Sequence, residues 1–337
     1  MNTAPITRRR LTWLASGGVA ALLAPRIATA RFPDRPIRIM VGFAPGGTVD
    51  TIARILAQAL TPLIGQQVVV ENRPGASASL AASAVVRSEA DGHTLLFGVF
   101  SHAVAPALAH LTYDTLADLT AVSQVASVPL FMFAAGKAPF RSVADVVAAA
   151  KDKPETITYG SGGVGSSAHL AGELFARRAG VRLVHVPYRG GGPAVQSLLA
   201  GDVQILWDTP QPATRSFIDQ GQLRALAVMG RTRLPSYPEI VAIGEARLEA
   251  GLQPGLGDDL EVQAWQGVLV KSGTPDEVIA QLHRAIVAAM TLPETRARIE
   301  ALAVEPMATD PVTFGAFFRA EVLRWTEVAR RAGITAQ

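Results

Sequence analysis

The sequence contains no cysteine. Disulfides, thiolate zinc sites and cysteine nucleophiles are therefore excluded. Its six histidines include no H-x-x-x-H pair, the spacing that sets two imidazoles on one helical face. No G-x-S-x-G elbow is present, since Tyr159 stands two residues before Ser161. The acidic residues form no obvious catalytic pair. Past the opening segment, no apolar run reaches the ~20 residues that span a bilayer. These absences leave catalysis poorly supported. They do not exclude it, because active sites assemble from distant residues.

The opening segment reads as an export address. Thr7-Arg8-Arg9-Arg10-Leu11 is a basic start, an apolar stretch runs to Leu23, and Ala28-Thr29-Ala30 is a small-residue cleavage site. The arginine pair favours the twin-arginine route over the general one. Ser16, Gly17 and Gly18 interrupt the apolar stretch, which argues against a membrane anchor. Cleavage near Ala30 would leave a soluble periplasmic protein. The segment holds Arg8, Arg9, Arg10 and Arg26 and no acid, so its loss takes the net charge from +3 to −1. The basic balance of the whole chain is thus no sign of a nucleic-acid partner.

The remaining chain alternates strand and helix patterns. Ile37 to Val41, Val68 to Val70 and Thr94 to Phe97 are short apolar runs. Between them, Thr51 to Leu63 and Ser79 to Val86 have helical spacing. This is βαβαβ, the grammar of a parallel sheet with helices on its faces. The grammar restarts at Leu130-Phe131-Met132-Phe133 and runs to Leu223–Val228. The end is helical from Pro275, with Thr274 placed as its N-cap. The pattern predicts two α/β lobes, residues 31–130 with 265–337 and residues 131–264. Ligands favour the interface between lobes and the carboxyl ends of parallel strands.

Five strand-end segments are candidates for that interface. The first holds Phe43, Ala44, Pro45, Gly46, Gly47 and Asp50. Its glycines allow close backbone approach, and the following helix N-terminus attracts an anion. Asp50 is itself an anion there, and is expected to bond loop amides or a donor on the guest. The second runs from Gly160 to His169. Backbone amides here, with Ser161, Gly162, Gly163 and Ser166, would hold a carboxylate, and His169 is a candidate second donor. Gly160, Gly162 and Gly165 also satisfy G-x-G-x-x-G, which leaves a nucleotide-dependent enzyme as the alternative. The region Arg182 to Arg189 carries no acid to hold a ribose. The third segment is Pro187-Tyr188-Arg189-Gly190-Gly191-Gly192-Pro193. The fourth, Phe97 to His102, contributes Ser101 and His102. The fifth is Asp208-Thr209-Pro210. No cofactor is expected.

In order and spacing, these pieces resemble one family. Phe32-Pro33-Asp34-Arg35-Pro36 opens the match, and Phe43-Ala44-Pro45-Gly46-Gly47 with Asp50 follows. Val69-Val70-Glu71-Asn72-Arg73-Pro74-Gly75-Ala76 is the most specific piece. Asp91-Gly92-His93-Thr94, Gly160 to Leu170, Pro187 to Ala194 and Ser272-Gly273-Thr274-Pro275 complete it. The resemblance is to the Bug, or tripartite tricarboxylate transporter, substrate-binding proteins. It implies a type II periplasmic binding protein fold: two α/β lobes, joined by two crossovers, around a ligand cleft. It implies a small carboxylated guest, no enzymatic reaction, a monomer, and delivery to membrane permease subunits or a membrane sensor. Ala76-Ser77-Ala78-Ser79-Leu80 departs from the family, which continues this segment with more glycine.

Overall fold

The computed structural model describes residues 32–210, 213–230, 232–235, 237–249, 262 and 264–332. The expected export segment and the Pro/Gly-rich stretch Gly251–Gly257 lie outside the described residues.

The first sheet begins with β1 (Ile37–Val41), which leads through the first loop into α1 (Thr48–Ile64). Ile52, Ile55, Leu56 and Leu60 fall on one face of α1 and are buried. Gly65 ends the helix in the left-handed conformation, returning its N–H to the Thr61 carbonyl. Next come β2 (Val68–Asn72), α2 (Ser79–Val86), β3 (Thr94–Val99), α3 (Phe100–Leu108) and β4 (Leu119–Val128). The fourth expected segment is thus no loop, because β3 turns directly into α3. Pro129 and Leu130 alone separate β4 from β5 (Phe131–Ala135), which belongs to a second sheet.

That sheet is built with α4 (Val143–Asp152), β6 (Thr158–Ser161), α5 (Ser167–Ala179), β7 (Val184–Pro187) and α6 (Gly191–Ala200). β8 (Ile205–Asp208), α7 (Thr214–Asp219), β9 (Leu223–Val228) and α8 (Ile243–Glu249) follow. The chain then returns to the first sheet with β10 (Ala264–Lys271), α9 (Asp276–Thr291), α10 (Pro293–Glu300), β11 (Glu305–Pro306) and α11 (Pro311–Ala332). Pro275 is the N-cap of α9, not its first helical residue. Thr274 instead donates its hydroxyl to the Lys271 carbonyl at 2.7 Å.

The first sheet has the order β11-β4-β10-β3-β1-β2, and the second β7-β6-β8-β5-β9. In each, three parallel strands are followed by one antiparallel strand that arrives from the other sheet. The order reverses between β1 and β3, and again between β6 and β8. A parallel sheet opens a crevice beyond the carboxyl ends of its strands at such reversals.

Apolar clusters cover both faces of each sheet. One joins β1, α1, α9 and the inward side of β10. Trp265, on the opposite side of β10, is 1% exposed and meets Phe314, Phe317 and Phe318 of α11 edge-on at 5.5–5.9 Å.

Candidate functional site

Four helix N-termini meet at one cavity. It is lined by the starts of α1 (Gly47, Thr48), α3 (Phe100, Ser101), α5 (Ser166, Ser167) and α6 (Gly190, Gly191). Each start carries unpaired N–H groups and the positive end of a helix dipole. β1, β3 and β6 deliver the first three of these helices, and β8 delivers Asp208 to the same cavity. The site therefore lies at both strand-order reversals at once. Its volume is about 100 Å³. A second cavity of about 410 Å³ adjoins it beneath residues 75–78, sharing Phe43, Ser101, Gly162 and Gly190.

Most of the expected residues border these spaces. Phe43, Ala44, Pro45 and Gly47 line the first cavity from the first loop, and Gly162 and Ser166 from the second. Ser101, Gly190 and Asp208 complete that set, and Gly163 lines the second cavity. Arg189 is exposed and borders both.

Gly46, Asp50, His102, Ser161 and His169 border neither cavity. All five were candidates for contact with the guest, Asp50 with loop amides as its other expected partner. Their polar atoms instead hold the loops from behind. Asp50 is 3% exposed and accepts from the Gly46 N–H at 3.0 Å, Asn72 Nδ2 at 2.8 Å and two Arg54 nitrogens at 2.9 Å. Asn72 also donates to the Phe43 carbonyl at 3.0 Å. Burial opposes the charge on Asp50. The bonds from Arg54, Gly46 and Asn72 outweigh it and hold the carboxyl below the usual range.

His102 works the same way at the start of α3. Its Nδ1 accepts from the Val99 N–H at 3.0 Å, and its Nε2 lies 3.3 Å from the Ala78 carbonyl. A proton on Nε2 satisfies both contacts. The residue is fully buried, and burial pushes the imidazole down to about 4. In the second loop, His169 Nδ1 accepts from the Gly165 N–H at 3.2 Å, so its ring supports the loop. Ser166 caps α5, its hydroxyl accepting from the His169 N–H and donating to the Gly163 carbonyl.

Sequence reasoning missed His185. Its ring stacks on His169 at 4.2 Å and on Tyr159 at 4.8 Å, and its Nε2 is 2.7 Å from Ser161 Oγ. The contact has the length of a nucleophile–base pair. Ser161 is fully buried, however, and its hydroxyl also serves Gly163. Burial, aided by His169, takes His185 down to about 3. Neutral buried histidines have a pH consequence. The unfolded chain takes up protons at a pKa near 6.5 that the folded chain refuses, so stability falls as pH drops from about 6.5 toward 4. We expect about 2 kcal/mol from each of His102 and His185 by pH 4.5. Denaturant melts at pH 7.5 and 4.5 check this, and equal stabilities would refute it.

The two sheets also touch across the cleft. Thr48 Oγ1 donates to the Pro210 carbonyl, and Ser77 Oγ donates to the Val164 carbonyl at 2.5 Å. Ser77 sits in a left-handed turn with Ala76 and Ala78, at φ 45, 53 and 73°. Each such non-glycine residue costs about 1–2 kcal/mol. Opposite it, Gly165 has φ 77°, and a Cβ there would lie 2.8 Å from Leu108 Cδ1. A side chain there would be strained by the positive φ and would have to displace the tip of Leu108.

Comparison with known proteins agrees with this geometry. Residues 52–334 match the model of the tripartite tricarboxylate transporter family receptor. The chain is 34% identical over 328 residues to the protein BugT of Bordetella pertussis, covering 95% of each. A Rhodopseudomonas palustris protein solved with adipate superposes with a TM-score of 0.83 at 32% identity, covering 91% of this chain and 100% of that one. MatC of the same organism, solved with bound malate, gives 0.79 at 28% identity, covering 88% and 99%. The periplasmic binding protein BugD superposes with a TM-score of 0.81 at 29% identity, covering 91% of this chain and 100% of that one, and the nucleotide-enzyme reading finds no support among these relatives. With its two-lobed fold and its cleft of helix ends, this chain belongs to the tripartite tricarboxylate transporter receptor family.

Proposed function

We propose that the protein captures a small carboxylate in the periplasm and presents it to membrane permease subunits or a membrane sensor. One observation carries this: the N-termini of α1, α3, α5 and α6 converge on a single cavity. Four dipole ends with free amides stabilise an anion without a dedicated cation. The first cavity is small, on a scale where ~150 Å³ takes a benzene. It suits a carboxylate head, with the rest of the guest extending toward the second cavity. The adipate and malate of the solved relatives are both dicarboxylates of that kind.

Residues 1–30 are removed on export. Residues 31–130 with 265–337 form one lobe and 131–264 the other, consistent with the membership of the two sheets. The working unit is a monomer.

The test is a thermal-shift screen on protein stripped of ligand by unfolding and refolding. Mono- and dicarboxylates are compared with NAD. A carboxylate at 100 times its dissociation constant adds about 2.7 kcal/mol of stability. NAD adds nothing. A shift with NAD and none with any carboxylate would reverse the assignment.

A further inference from the structure

We infer that Gln266 and Asp208 form a subsite for a hydrogen-bond donor on the guest, a hydroxyl or ammonium group carried beside its carboxylate. The inference rests on the carboxylate reading and narrows it to hydroxy- and amino-carboxylates.

The central observation is an orphaned acceptor. Gln266 is 2% exposed and borders the first cavity, yet its Oε1 has no hydrogen-bond partner among the described residues. Native structures rarely leave a buried carbonyl oxygen unpaired, and a ligand is one way to pair it. Its direction follows from strand alternation. Trp265 points to the α11 side of the sheet, where three phenylalanines receive it. Gln266 therefore points to the opposite, α1 side. Ala264, two residues away on the same face, packs in the cluster with α1. The first loop enters the cavity from this side.

Asp208 reaches the same cavity from the second sheet. It is the last residue of β8, is 6% exposed, and accepts the Thr209 N–H at 2.8 Å. Both Gln266 Oε1 and the Asp208 carboxylate are acceptors. A guest bearing carboxylates alone would leave Gln266 unpaired. A guest with an added donor satisfies it, with the Asp208 carboxylate as a second acceptor at the same cavity. The cavity is thus polarised, with helix-end donors for the carboxylate and side-chain acceptors for the donor group.

The experiment is calorimetry on the refolded mature protein with matched acids: succinate, malate and aspartate; glutarate, 2-hydroxyglutarate and glutamate; propionate, lactate and alanine. In the set that binds, the hydroxy or amino member should bind about tenfold more tightly than the unsubstituted acid. Gln266→Leu should shrink that preference to within about threefold while leaving the unsubstituted acid little changed. Gln266→Glu, which keeps an acceptor, should preserve it. Asp208→Asn should reduce it most for amino acids. The wild-type comparison stands even where a variant fails to fold. Unsubstituted acids binding as tightly as the others, or a preference that survives Gln266→Leu or is lost in Gln266→Glu, would overturn the subsite alone. No binding in any set would overturn the carboxylate reading and the subsite together.

Discussion

Asp50→Ala should lower stability by about 3 kcal/mol and guest affinity by at least about tenfold. The two losses share one cause. Asp50 bonds Gly46, Asn72 and Arg54, and Asn72 in turn holds the Phe43 carbonyl. Removing the carboxylate frees the first loop and leaves the part-buried Asn72 amide short of an acceptor. Arg54 is half exposed and regains water, which keeps the cost below that of a fully buried pair. Asp50→Asn keeps one acceptor and should fall between wild type and alanine. Because Asp50 does not border the cavity, the affinity loss reports loop geometry and not a lost contact. Denaturant melts and calorimetry on the same samples measure both effects. Full stability with weakened binding would place Asp50 on the guest after all.

Trp265→Ala should cost about 4 kcal/mol, within the usual range for deleting a large buried ring. Its edge-on contacts to Phe314, Phe317 and Phe318 tie α11 to the first sheet. Collapse into the gap is restrained there, since Gly267 is so closely packed that a Cβ would lie 2.3 Å from Phe314 Cζ. The urea midpoint should fall with the slope unchanged. Trp265→Phe should retain most of the stability. A loss below about 1 kcal/mol in the alanine variant would show that the region repacks.

The helices and strands that carry the loops were legible because parallel strands buried on both faces read as plain apolar runs. Ile37–Val41 and Thr94–Val99 stand out in this way. β4 was missed for the opposite reason. Its sequence, LTAVSQVASV, mixes polar and apolar residues without a period. Its buried polar groups are satisfied from far along the chain: Ser123 donates to the Thr309 carbonyl at 2.8 Å, and the Gln124 N–H to Thr309 Oγ1 at 3.1 Å. α3 was hidden because Gly98, Ser101 and His102 resemble turn residues. Only the bond from the Val99 N–H to His102 shows the ring serving as a helix cap.

The site was legible as loops but not as roles. Glycines after strands mark where backbone can approach a guest, and those segments do surround the cavities. Sequence spacing gives no sign of which polar side chains face inward. Asp50, His102 and His169 turn away because local amides claim them. Gln266 went unremarked because it sits in an apolar strand, and its lack of a partner is visible only in three dimensions.

Pro129 and Leu130 are all that separate β4 in one sheet from β5 in the other. Leu130 is buried, and its carbonyl is held by the Met229 N–H at 2.7 Å. So short a tether cannot pay out length. The halves are held together at this joint, so any widening of the cleft would have to be a change of angle. Dwell time should then track how stiffly that joint resists bending, even when every group touching the cargo is unchanged.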